Sequence, residues 1–430
     1  MENKEVTSIR IGVLGYGNVG KALVNLITDQ REPILSRTAL DLSVDVVAVR
    51  DPKKHSDLEV ASPQITGNAY DVVVSDNIDV IVEVIGGVEP AKDLVQAALN
   101  AGKPVITANK ELLAKHGPEL FRIADDRGLD LLFEAAVAGG VPLMRVLRES
   151  LKGEPIQRVM GIVNGTTNYI LSKMSETGMS YEDALAEAQA KGYAESDPSA
   201  DVDGQDAASK AAIIAMVAFG AQLGLSDVSY EGITEITAGD ILFAKRFGHT
   251  IKLLAIAEQS PNAIGVRVHP AMLPNYHPLA SVRDSFNAVF VEGEAVGDLM
   301  LYGRGAGGDP TASAVLGDVI AAANNLTQNT NNGLGNLRTT AIQATEELES
   351  AYYINLEVAD EPGVLAAVAA VFGKHGVSIR SMEQEGLGEE ARIVFITHSS
   401  KERNVHSTLD ELRKLTCVIQ IGTKIRVMGH

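Results

Sequence analysis

The N-terminal stretch "IRIGVLGYGNVGKALVNLI", residues 9–27, indicates the architecture of the first part of the chain. Residues 9–14 have the apolar pattern of a β-strand, and the residues after the glycines repeat like a helix with one apolar face. The turn between them consists of Gly15, Tyr16, Gly17, Asn18, Val19 and Gly20. Between a strand and a helix, this G-x-G-x-x-G motif brings a pyrophosphate close to backbone N–H groups. We therefore predict cofactor contacts at Gly15, Gly17, Asn18, Val19 and Gly20, with a plain glycine turn as the alternative.

Strand and helix patterns continue to alternate beyond this unit. The segments "VDVVAVR" (44–50), "DVIVEVIGG" (79–87) and "KPVITANK" (103–110) are typical of strands, and "AKDLVQAALNAG" (91–102) is typical of a helix closed by Gly102. Such alternation forms a parallel sheet with helices on both faces. The sequence thus predicts an α/β protein that begins with a Rossmann-type parallel-sheet domain.

The composition limits the class of protein. A chain of 430 residues is long enough for two or three domains, and a net charge of −19 disfavours an extended nucleic-acid surface. The sole cysteine, Cys417, rules out an internal disulfide framework and suits a reducing compartment. The longest apolar stretch, 211–225, is shorter than the roughly 20 residues of a membrane helix, and no leader pattern opens the chain. We expect a soluble, cytoplasmic protein that binds neither nucleic acid nor membrane.

Basic residues near two predicted strand ends are candidate ligand contacts. Arg50 ends the second strand, with Lys53 and Lys54 behind it, although Asp51 follows directly. An arginine at this place suits the 2′-phosphate of NADP, so the pattern favours NADP and leaves NAD open. Solvated loop charges are the alternative. Lys110 follows another parallel strand, where open α/β sheets bind ligands, but position alone fits a surface lysine equally well.

Two polar features interrupt otherwise apolar segments. Glu134 lies within "LLFEAAVAGGVPLMRVLRESL" (131–151), and a buried carboxylate needs a cation, a lysine or backbone donors as partners. The motif "NGTTN" (164–168) separates a strand pattern from a helix pattern, where helix capping alone accounts for its polar residues. The sequence leaves functional and structural roles open for the motif.

The acidic run "GYAESDPSADVDGQDAASK", residues 192–210, precedes an apolar helix pattern. Asp206 and Lys210 are four residues apart, so they lie on one face of that helix. A calcium loop starting at Asp201 would need a glutamate at its twelfth position, which is Ala212. An exposed acid and lysine at this spacing form a common surface pair, which is the alternative. On a buried helix the two groups need partners, so the run favours an active-site wall around Lys210. We take the remaining carboxylates Asp197 and Asp203 as turn and cap residues.

Several motifs together resemble one enzyme family. The run A-x-x-x-G-Y-A-x-x-D-P-x-x-D-V-x-G-x-D-x-x-x-K over 188–210 looks like the signature of homoserine dehydrogenases. The fingerprint, "TANK", "FEAAVAGGVP" and "VNGTTNYIL" resemble that family in the same order. The resemblance implies reversible reduction of L-aspartate 4-semialdehyde to L-homoserine with NADPH or NADH, a step of threonine and methionine biosynthesis.

The resemblance also implies roles for individual residues. It assigns catalysis to Lys210 and Lys110, contacts with homoserine to Gly192, Glu195 and Asp206, and a place in the same acidic wall to Asp201. A monovalent cation, usually sodium, would be held by Glu134 and the backbone carbonyls of Val137, Gly139 and Val141. Gly303 and Gly305, in the second glycine cluster "LYGRGAGGDPTASAVLGDVI" (301–320), become candidate cofactor contacts.

The C-terminal part has a different pattern. After residue 351 the strands and helices follow the order βαββαβ, which is ferredoxin-like. Together with "ADEPGVLAAVAAVFGKHGVSI" (359–379) this order resembles the ACT domain, an amino-acid-sensing module that pairs through its sheet. The implied effector is L-threonine, bound near Asp360, Gly363 and Val364, and the implied assembly is a homodimer or homotetramer. Dimerisation without regulation remains the alternative.

These patterns predict three domains. Residues 1–145 and 301–325 form the dinucleotide-binding domain, 146–300 an inserted α+β domain for substrate binding, catalysis and dimerisation, 326–350 a linker, and 351–430 the ACT domain. A semialdehyde enzyme that works through a thioester is rejected, because it needs a cysteine nucleophile and Cys417 lies in the C-terminal module. A non-catalytic sensor of NADP and amino acids is the alternative function.

Overall fold

The computed structural model describes residues 6–55, 63–386 and 390–429. Its strands, numbered in chain order, are β1 (Thr7–Leu14), β2 (Leu40–Ala48), β3 (Gln64–Thr66), β4 (Val80–Glu83), β5 (Val105–Thr107), β6 (Leu131–Leu132), β7 (Ile156–Ile162), β8 (Ser229–Tyr230), β9 (His249–Gln259), β10 (Ala263–Pro274), β11 (Phe286–Gly293), β12 (Gly297–Arg304), β13 (Ala341–Ile342), β14 (Glu349–Ala359), β15 (Ile379–Gly386), β16 (Glu390–Thr397), β17 (Ser400–Lys401) and β18 (Val418–Val427).

The helices of the described ranges are numbered in the same way. They are α1 (Asn18–Asp29), α2 (Arg31–Thr38), α3 (Ala69–Val74), α4 (Ala91–Asn100), α5 (Lys110–Asp126), α6 (Gly165–Thr177), α7 (Tyr181–Ala190), α8 (Ser199–Val202), α9 (Gln205–Phe219), α10 (Ala238–Arg246), α11 (Gly308–Gln328), α12 (Val364–Lys374) and α13 (Glu402–Leu412). No helix within these ranges combines the length and the apolar content that crossing a membrane requires.

The chain packs as two compact units. Unit 1 consists of residues 1–159, 209–227 and 287–340, and unit 2 consists of residues 160–208, 228–286 and 341–430. Each unit is therefore assembled from three separate stretches of sequence. The domain boundaries given above stay a prediction.

Unit 1 contains the predicted parallel sheet. Its six strands follow the order β3-β2-β1-β4-β5-β6, and β1 pairs in parallel with both β2 and β4. The apolar faces of α1 and α11 pack into the same core as β1, for instance through Leu23, Val315 and Val13. This strand order is the Rossmann order, which confirms the predicted fold class for the N-terminal part. In the same unit, β12, β11 and part of β7 are consecutive neighbours in a second sheet.

Along the sequence, helix α9 begins in unit 2 and ends in unit 1. Its residues 207–216 are buried, apart from the half-buried Lys210. The buried set includes alanine, isoleucine and methionine side chains around most of the helix circumference. The expectation of a buried helix after the acidic run is therefore confirmed.

Unit 2 contains the C-terminal module with the predicted ferredoxin-like order. The elements β14, α12, β15, β16, α13 and β18 form it, and α12 and α13 contribute Phe372 and Leu409 to one core with the sheet residue Phe395. The sheet continues into the middle of the chain in the order β9-β10-β18-β14-β16-β15. Strand β18 pairs in parallel with β10, where Ala271 lies opposite Arg426. The C-terminal module thus shares a sheet with strands from residues 249–274.

A buried lysine of unit 2, Lys252, holds the loop of residues 282–286 against α6 through hydrogen bonds. Lys252 on β9 donates from Nζ to Oδ1 of Asn168 at 2.8 Å and to the carbonyl oxygen of Val282 at 2.5 Å. The Asn168 amide also donates to the carbonyl of Asp284 at 3.0 Å. The next loop residue, Ser285, lies against Gly165, because a β-carbon at Gly165 would stand 2.7 Å from its carbonyl oxygen. Lys252 and Asn168 therefore hold residues 282–286 against the start of α6.

We expect Lys252 to make the free energy of unfolding depend on pH. Burial, and then the positive charge of Arg283, lower its pKa from 10.5 to about 8. Between these two values the folded protein binds fewer protons than the unfolded chain, so stability rises with pH. The gain across the window is on the order of 3 kcal/mol, at about 1.4 kcal/mol per pKa unit. Urea unfolding of wild type and Lys252→Met between pH 7.5 and 10.5 should show this gain in wild type alone.

The exposed Lys152 offers a matched control for this measurement. Lys152→Met should follow the wild-type pH dependence, because its side chain is in water in both states. Parallel pH curves for wild type and Lys252→Met would contradict the assignment.

Candidate active site

The glycine turn after β1 has an open face. Gly15 has a φ of +104°, and a β-carbon there would lie 2.7 Å from the carbonyl oxygen of Val84. A β-carbon at Gly20 would lie 2.3 Å from the carbonyl oxygen of Gly15, so packing forbids a side chain. At Gly17, in contrast, no atom lies within 4 Å of an added β-carbon. Packing thus excludes side chains at Gly15 and Gly20, whereas the space beside Gly17 is free. A pyrophosphate needs such space to approach the backbone.

The first turn of α1 forms the other part of this candidate pyrophosphate site. Gly17 is the N-cap of α1 and makes no side-chain capping bond. The first turn includes the exposed Asn18 and the half-buried Val19, and it contains no acidic residue. The helix end therefore presents N–H groups and a positive dipole to an anion. The second glycine cluster reaches the same place, since a β-carbon at Gly308 would lie 3.2 Å from the carbonyl oxygen of Asn18. These features fit a dinucleotide.

Arg50 lies beside the glycine turn. The end of β2 is bonded to the turn, because the Gly15 N–H donates to the carbonyl of Ala48 at 2.9 Å. Arg50 is two residues further along and exposed. Nearby, the ring of His55 stands edge-on to that of Tyr16, with centroids 5.5 Å apart. The arginine is therefore accessible at the end of β2, where the ribose of a dinucleotide binds in this fold.

A fully buried carboxylate at the end of β4 organises the neighbouring loops. Glu83 accepts a hydrogen bond from the Thr107 hydroxyl at 2.6 Å and one from the Ile85 N–H at 2.8 Å. Burial raises the pKa of Glu83 above its ordinary value. Our sequence reasoning missed this residue. The signal was present, because a glutamate inside the apolar strand "VIVE" needs buried partners.

The next loop places Lys110. Asn109 caps α5 by accepting from the Leu112 N–H at 3.1 Å, and its amide donates to the carbonyl of Gly87 at 2.6 Å. Lys110 is the first residue of α5 and is half-buried. Its backbone is therefore held at the carboxyl ends of β4 and β5, where open α/β sheets bind their ligands.

Glu134 is buried and bonded to backbone donors. Its two carboxylate oxygens accept from the N–H groups of Met144 at 2.8 Å and Arg145 at 2.7 Å. Its own N–H donates to Asp318 at 2.8 Å, and Arg145 pairs with the same aspartate at 2.9 Å. Burial, and then the charge of Asp318, raise the pKa of Glu134. The partners that the sequence required for Glu134 are thus N–H groups in this structure.

The other predicted cation ligands lie against the second glycine cluster. Ala138 and Gly139 both have positive φ, of 57° and 51°. A β-carbon at Gly139 would lie 2.4 Å from the carbonyl oxygen of Gly305, and one at Gly303 would lie 3.2 Å from the Val141 side chain. The structure therefore brings the 137–141 loop and residues 303–305 together in unit 1.

These loops contain few side-chain metal ligands. In residues 6–55, 63–386 and 390–429, no group of three or more His, Cys, Asp and Glu side chains is placed to hold a metal ion. A cation at Glu134 would depend on that carboxylate and on the carbonyl oxygens of Val137, Gly139 and Val141.

Asn164 gathers two carboxylates of the acidic run in unit 2. Its amide nitrogen donates to Asp201 at 2.6 Å and to Asp206 at 2.8 Å. Its amide oxygen caps α6 by accepting from the Thr167 N–H at 2.9 Å. The Thr166 hydroxyl lies 3.2 Å from the second Asp201 oxygen. Asn164 is therefore both a helix cap, as the sequence allowed, and the link between the two acids, which sequence reasoning did not assign.

Gly192 and Glu195 lie on the exposed part of the same run. Both are exposed, and Gly192 adopts a positive φ of 74° after α7. The backbone between them is held at Tyr193, whose carbonyl accepts from the Thr166 hydroxyl at 2.6 Å. The Glu195 carbonyl accepts from the Gln189 amide at 3.0 Å. The structure thus brings Asp201 and Asp206 together and leaves the Glu195 side chain exposed.

Asp197 and Asp203 differ from the two acids bound by Asn164. Asp197 accepts from the N–H of Ser199 at 3.2 Å, at the start of α8. Asp203 is the exposed residue that follows α8. Their positions match the turn and cap roles expected from sequence.

Lys210 and Lys110 stand near the beginnings of two helices that contact each other in unit 1. Lys210 is half-buried on α9, one helical turn after Asp206. Helices α5 and α9 meet where a β-carbon at Gly117 would lie 3.4 Å from Cε of Met216. Each lysine therefore belongs to an element that is packed into the core of its unit.

The predicted effector residues surround the beginning of α12. Gly363 is the N-cap with a φ of 92°, Val364 is the buried first residue of the helix, and Asp360 is exposed. A β-carbon at Gly386 on β15 would lie 3.4 Å from the Asp360 carboxylate. The three residues are therefore neighbours along one loop and helix N-terminus.

Comparison with protein families agrees with this arrangement. Residues 142–320 match the model described as "Homoserine dehydrogenase", residues 15–134 match "Homoserine dehydrogenase, NAD binding domain", and residues 352–417 match "ACT domain". The matches follow the parts of the chain that carry the acid pair, the glycine turn and the ferredoxin-like module.

Individual relatives are similar over 77–99% of the chain. The homoserine dehydrogenase of Corynebacterium glutamicum is 47% identical, over 98% of this chain and 96% of its own length. The crystal structure of a homoserine dehydrogenase from Thiobacillus denitrificans superimposes with a TM-score of 0.94 at 39% identity, over 99% of both chains. A hyperthermophilic archaeal homoserine dehydrogenase in complex with NADPH matches with a TM-score of 0.65 at 29% identity, over 77% of this chain and 100% of its own. The chain therefore belongs to the homoserine dehydrogenase family and is an oxidoreductase.

Proposed function

We propose that this enzyme catalyses the reversible reduction of L-aspartate 4-semialdehyde to L-homoserine with NADPH, a cytoplasmic step of threonine and methionine biosynthesis. The observation that carries the substrate assignment is the carboxylate pair Asp201 and Asp206, gathered on the Asn164 amide. Both substrate and product carry an α-ammonium group, which carboxylates bind by charge-assisted hydrogen bonds. Exposed Glu195 and Gly192 complete the proposed binding site.

The two lysines supply the proton and the positive charge. During reduction the carbonyl oxygen of the aldehyde becomes a hydroxyl, so it needs a proton and a nearby cation. We assign proton donation to the ammonium group of Lys210 and electrostatic stabilisation of the oxygen to Lys110. When bound, the nicotinamide cofactor supplies the hydride. In the reverse direction Lys210 takes the proton back from the hydroxyl of homoserine.

Two substitutions should separate catalysis from substrate binding. We expect Lys210→Ala to lower kcat for homoserine oxidation by about 10²–10⁴-fold, the usual loss for a general acid or base. Asn164→Ala should raise the KM for homoserine by roughly 10–100-fold, because it removes charged hydrogen bonds worth about 1.5–3 kcal/mol. The measurement is absorbance of the reduced nicotinamide at varied homoserine.

The exposed Lys152 again provides a control, and Lys152→Ala should leave both constants unchanged. Wild-type rates from Lys210→Ala would refute the proton-transfer assignment. An unchanged KM in Asn164→Ala would refute the substrate site.

We propose NADP as the preferred cofactor. The glycine turn with Asn18 and Val19 would hold the pyrophosphate, Arg50 the 2′-phosphate, and Lys110, Gly303 and Gly305 the nicotinamide end. The accessible Arg50 at the end of β2 and the NADPH complex of the archaeal relative support this choice. We further propose a sodium ion on Glu134 with the carbonyls of Val137, Gly139 and Val141, supported by the burial of Glu134 and the two positive φ angles in that loop.

Arg50→Ala should change the cofactor preference. We expect the KM for NADPH to rise roughly 10-fold, since a charge-assisted bond to the phosphate is lost, while the KM for NADH stays within about twofold. Steady-state rates with each cofactor give both values. Lys92→Ala is a suitable control, because Lys92 pairs with Glu119 on α5. An equal change of KM for both cofactors would contradict the assignment.

We propose that the C-terminal module binds L-threonine and that the enzyme is a homodimer or homotetramer. The grouping of Asp360, Gly363 and Val364 at one helix N-terminus supports an amino-acid site, because the helix end attracts a carboxylate and Asp360 attracts an ammonium group. Strands β12 and β15 are edge strands, and Met300 and Tyr302 on β12 are exposed. Such edges suit pairing with a second copy of the chain.

Threonine should inhibit the full-length enzyme through Asp360. We expect Asp360→Ala to raise the threonine concentration for half-inhibition at least roughly 10-fold, because the α-ammonium loses its counter-charge. Inhibition curves in the homoserine assay measure this shift. Asp410→Ala on the exposed face of α13 should behave like wild type. Identical inhibition of wild type and Asp360→Ala, or none in wild type, would reject the effector site.

A further inference from the structure

The turn between the two substrate acids is backed by a second segment of unit 2. Asp201 lies on α8 and Asp206 on α9, and the chain turns between the two acids at residues 202–204. A β-carbon at Gly232 would stand 2.1 Å from the carbonyl oxygen of Val202, and one at Gly204 would stand 3.1 Å from that of Glu231. The Ile233 N–H donates to the Val202 carbonyl at 2.8 Å. Residues 231–233 therefore support the acid turn through direct backbone contacts.

The supporting segment is attached to the sheet of unit 2. Its preceding strand β8 pairs with β10, and the Glu231 N–H donates to the Val268 carbonyl at 2.8 Å. The Glu231 side chain accepts from Nη2 of Arg426 at 2.8 Å. Arg426 belongs to β18, the last strand of the C-terminal module. An ion pair between Arg426 and Glu231 thus links that module to the segment behind the acid turn.

Arg426 is itself held in a buried charge cluster. Its side chain is 3% exposed and bonds Glu402, which is 1% exposed, at 2.7 and 2.8 Å. Glu402 also accepts from Lys424 at 2.8 Å and from the Tyr352 hydroxyl at 2.8 Å. Burial acts to raise the pKa of Glu402, but the positive charges of Arg426 and Lys424 outweigh it and hold the value at about 2. Arg426 therefore keeps a charged partner in Glu402 independently of Glu231.

We propose that Glu231 and Arg426 are positioning residues for the amino-acid substrate. The pair fixes residues 231–233, these fix the 202–204 turn, and the turn sets the separation of Asp201 and Asp206 on Asn164. The inference rests on the proposed function of these acids in binding homoserine. It also makes β18 of the C-terminal module a structural part of the substrate site, so that removal of residues 351–430 would disturb binding as well as regulation.

Glu231 is the better residue to change. Its side chain is 40% exposed, so truncation leaves no buried unpaired group on that side. Arg426 remains neutralised by Glu402 in such a variant. A change at Arg426 would instead leave Glu402 buried without its main counter-charge, which is strongly destabilising.

The test compares Glu231→Ala with wild type in the full-length chain. We expect the KM for homoserine to rise roughly three- to tenfold, while kcat and the KM for NADP⁺ stay within about twofold. Glu231→Gln, which keeps an acceptor oxygen but loses the charge, should give an intermediate KM. Glu235→Ala is the matched control, because Glu235 is an exposed glutamate four residues along the same loop. Thermal melting confirms that each variant is folded.

The outcomes separate this inference from the proposed function. A homoserine KM for Glu231→Ala equal to that for Glu235→Ala, with Asn164→Ala raising it, overturns the positioning role alone. Equal changes in kcat and in both KM values would also overturn it, because they indicate general damage. If Asn164→Ala leaves the KM unchanged, the substrate site itself is wrong, and the inference fails with it.

Discussion

One asparagine side chain of unit 2 joins α6, α8 and the beginning of α9. The Asn164 amide oxygen caps α6, while its nitrogen donates to Asp201 on α8 and Asp206 on α9. Two carboxylates at such close quarters repel each other, and a shared donor offsets that repulsion. Two further sets of contacts lie around it: Lys252 bonds Asn168 at the loop beside α6, and residues 231–233 contact the turn between the acids.

Burial of charged and polar groups is a recurring constraint in both units. Glu83 and Glu134 in unit 1 are matched by hydroxyl and backbone N–H donors, and Glu402 in unit 2 by Arg426 and Lys424. Each group would be costly without its partners, so each fixes the loops that supply them. In unit 1 these loops are the ones that carry Lys110 and the predicted cation ligands. The need of each buried carboxylate for hydrogen-bond donors thereby fixes the position of loops that have no regular secondary structure.

The continuous sheet of unit 2 supports a second role for the C-terminal module, beside the effector binding that we propose for it. Strand β18 pairs with β10, and Arg426 reaches from it to Glu231. A module joined only by a flexible linker would have to act through its ligand-dependent motion alone. Here the same strand that completes the ferredoxin-like sheet also contacts the segment behind Asp201 and Asp206. If these acids bind substrate as we propose, a shift of that strand would alter substrate affinity directly.

Local pattern was sufficient for the fold class, whereas most candidate site residues came from the motifs that resemble a known family. The Rossmann-type parallel sheet, the buried α9 and the ferredoxin-like module follow from residue periodicity, because the apolar face of each element must be covered. The pairing of Asp201 with Asp206 through Asn164, the Glu83 network behind Lys110, and the Arg426–Glu231 link were not predictable in this way. Their hydrogen bonds join residues 24 to 195 positions apart in the sequence. The periodicity of apolar residues does not indicate hydrogen bonds over such separations. Only folding brings these donors and acceptors within reach, because their partners are chosen by the packing of distant elements.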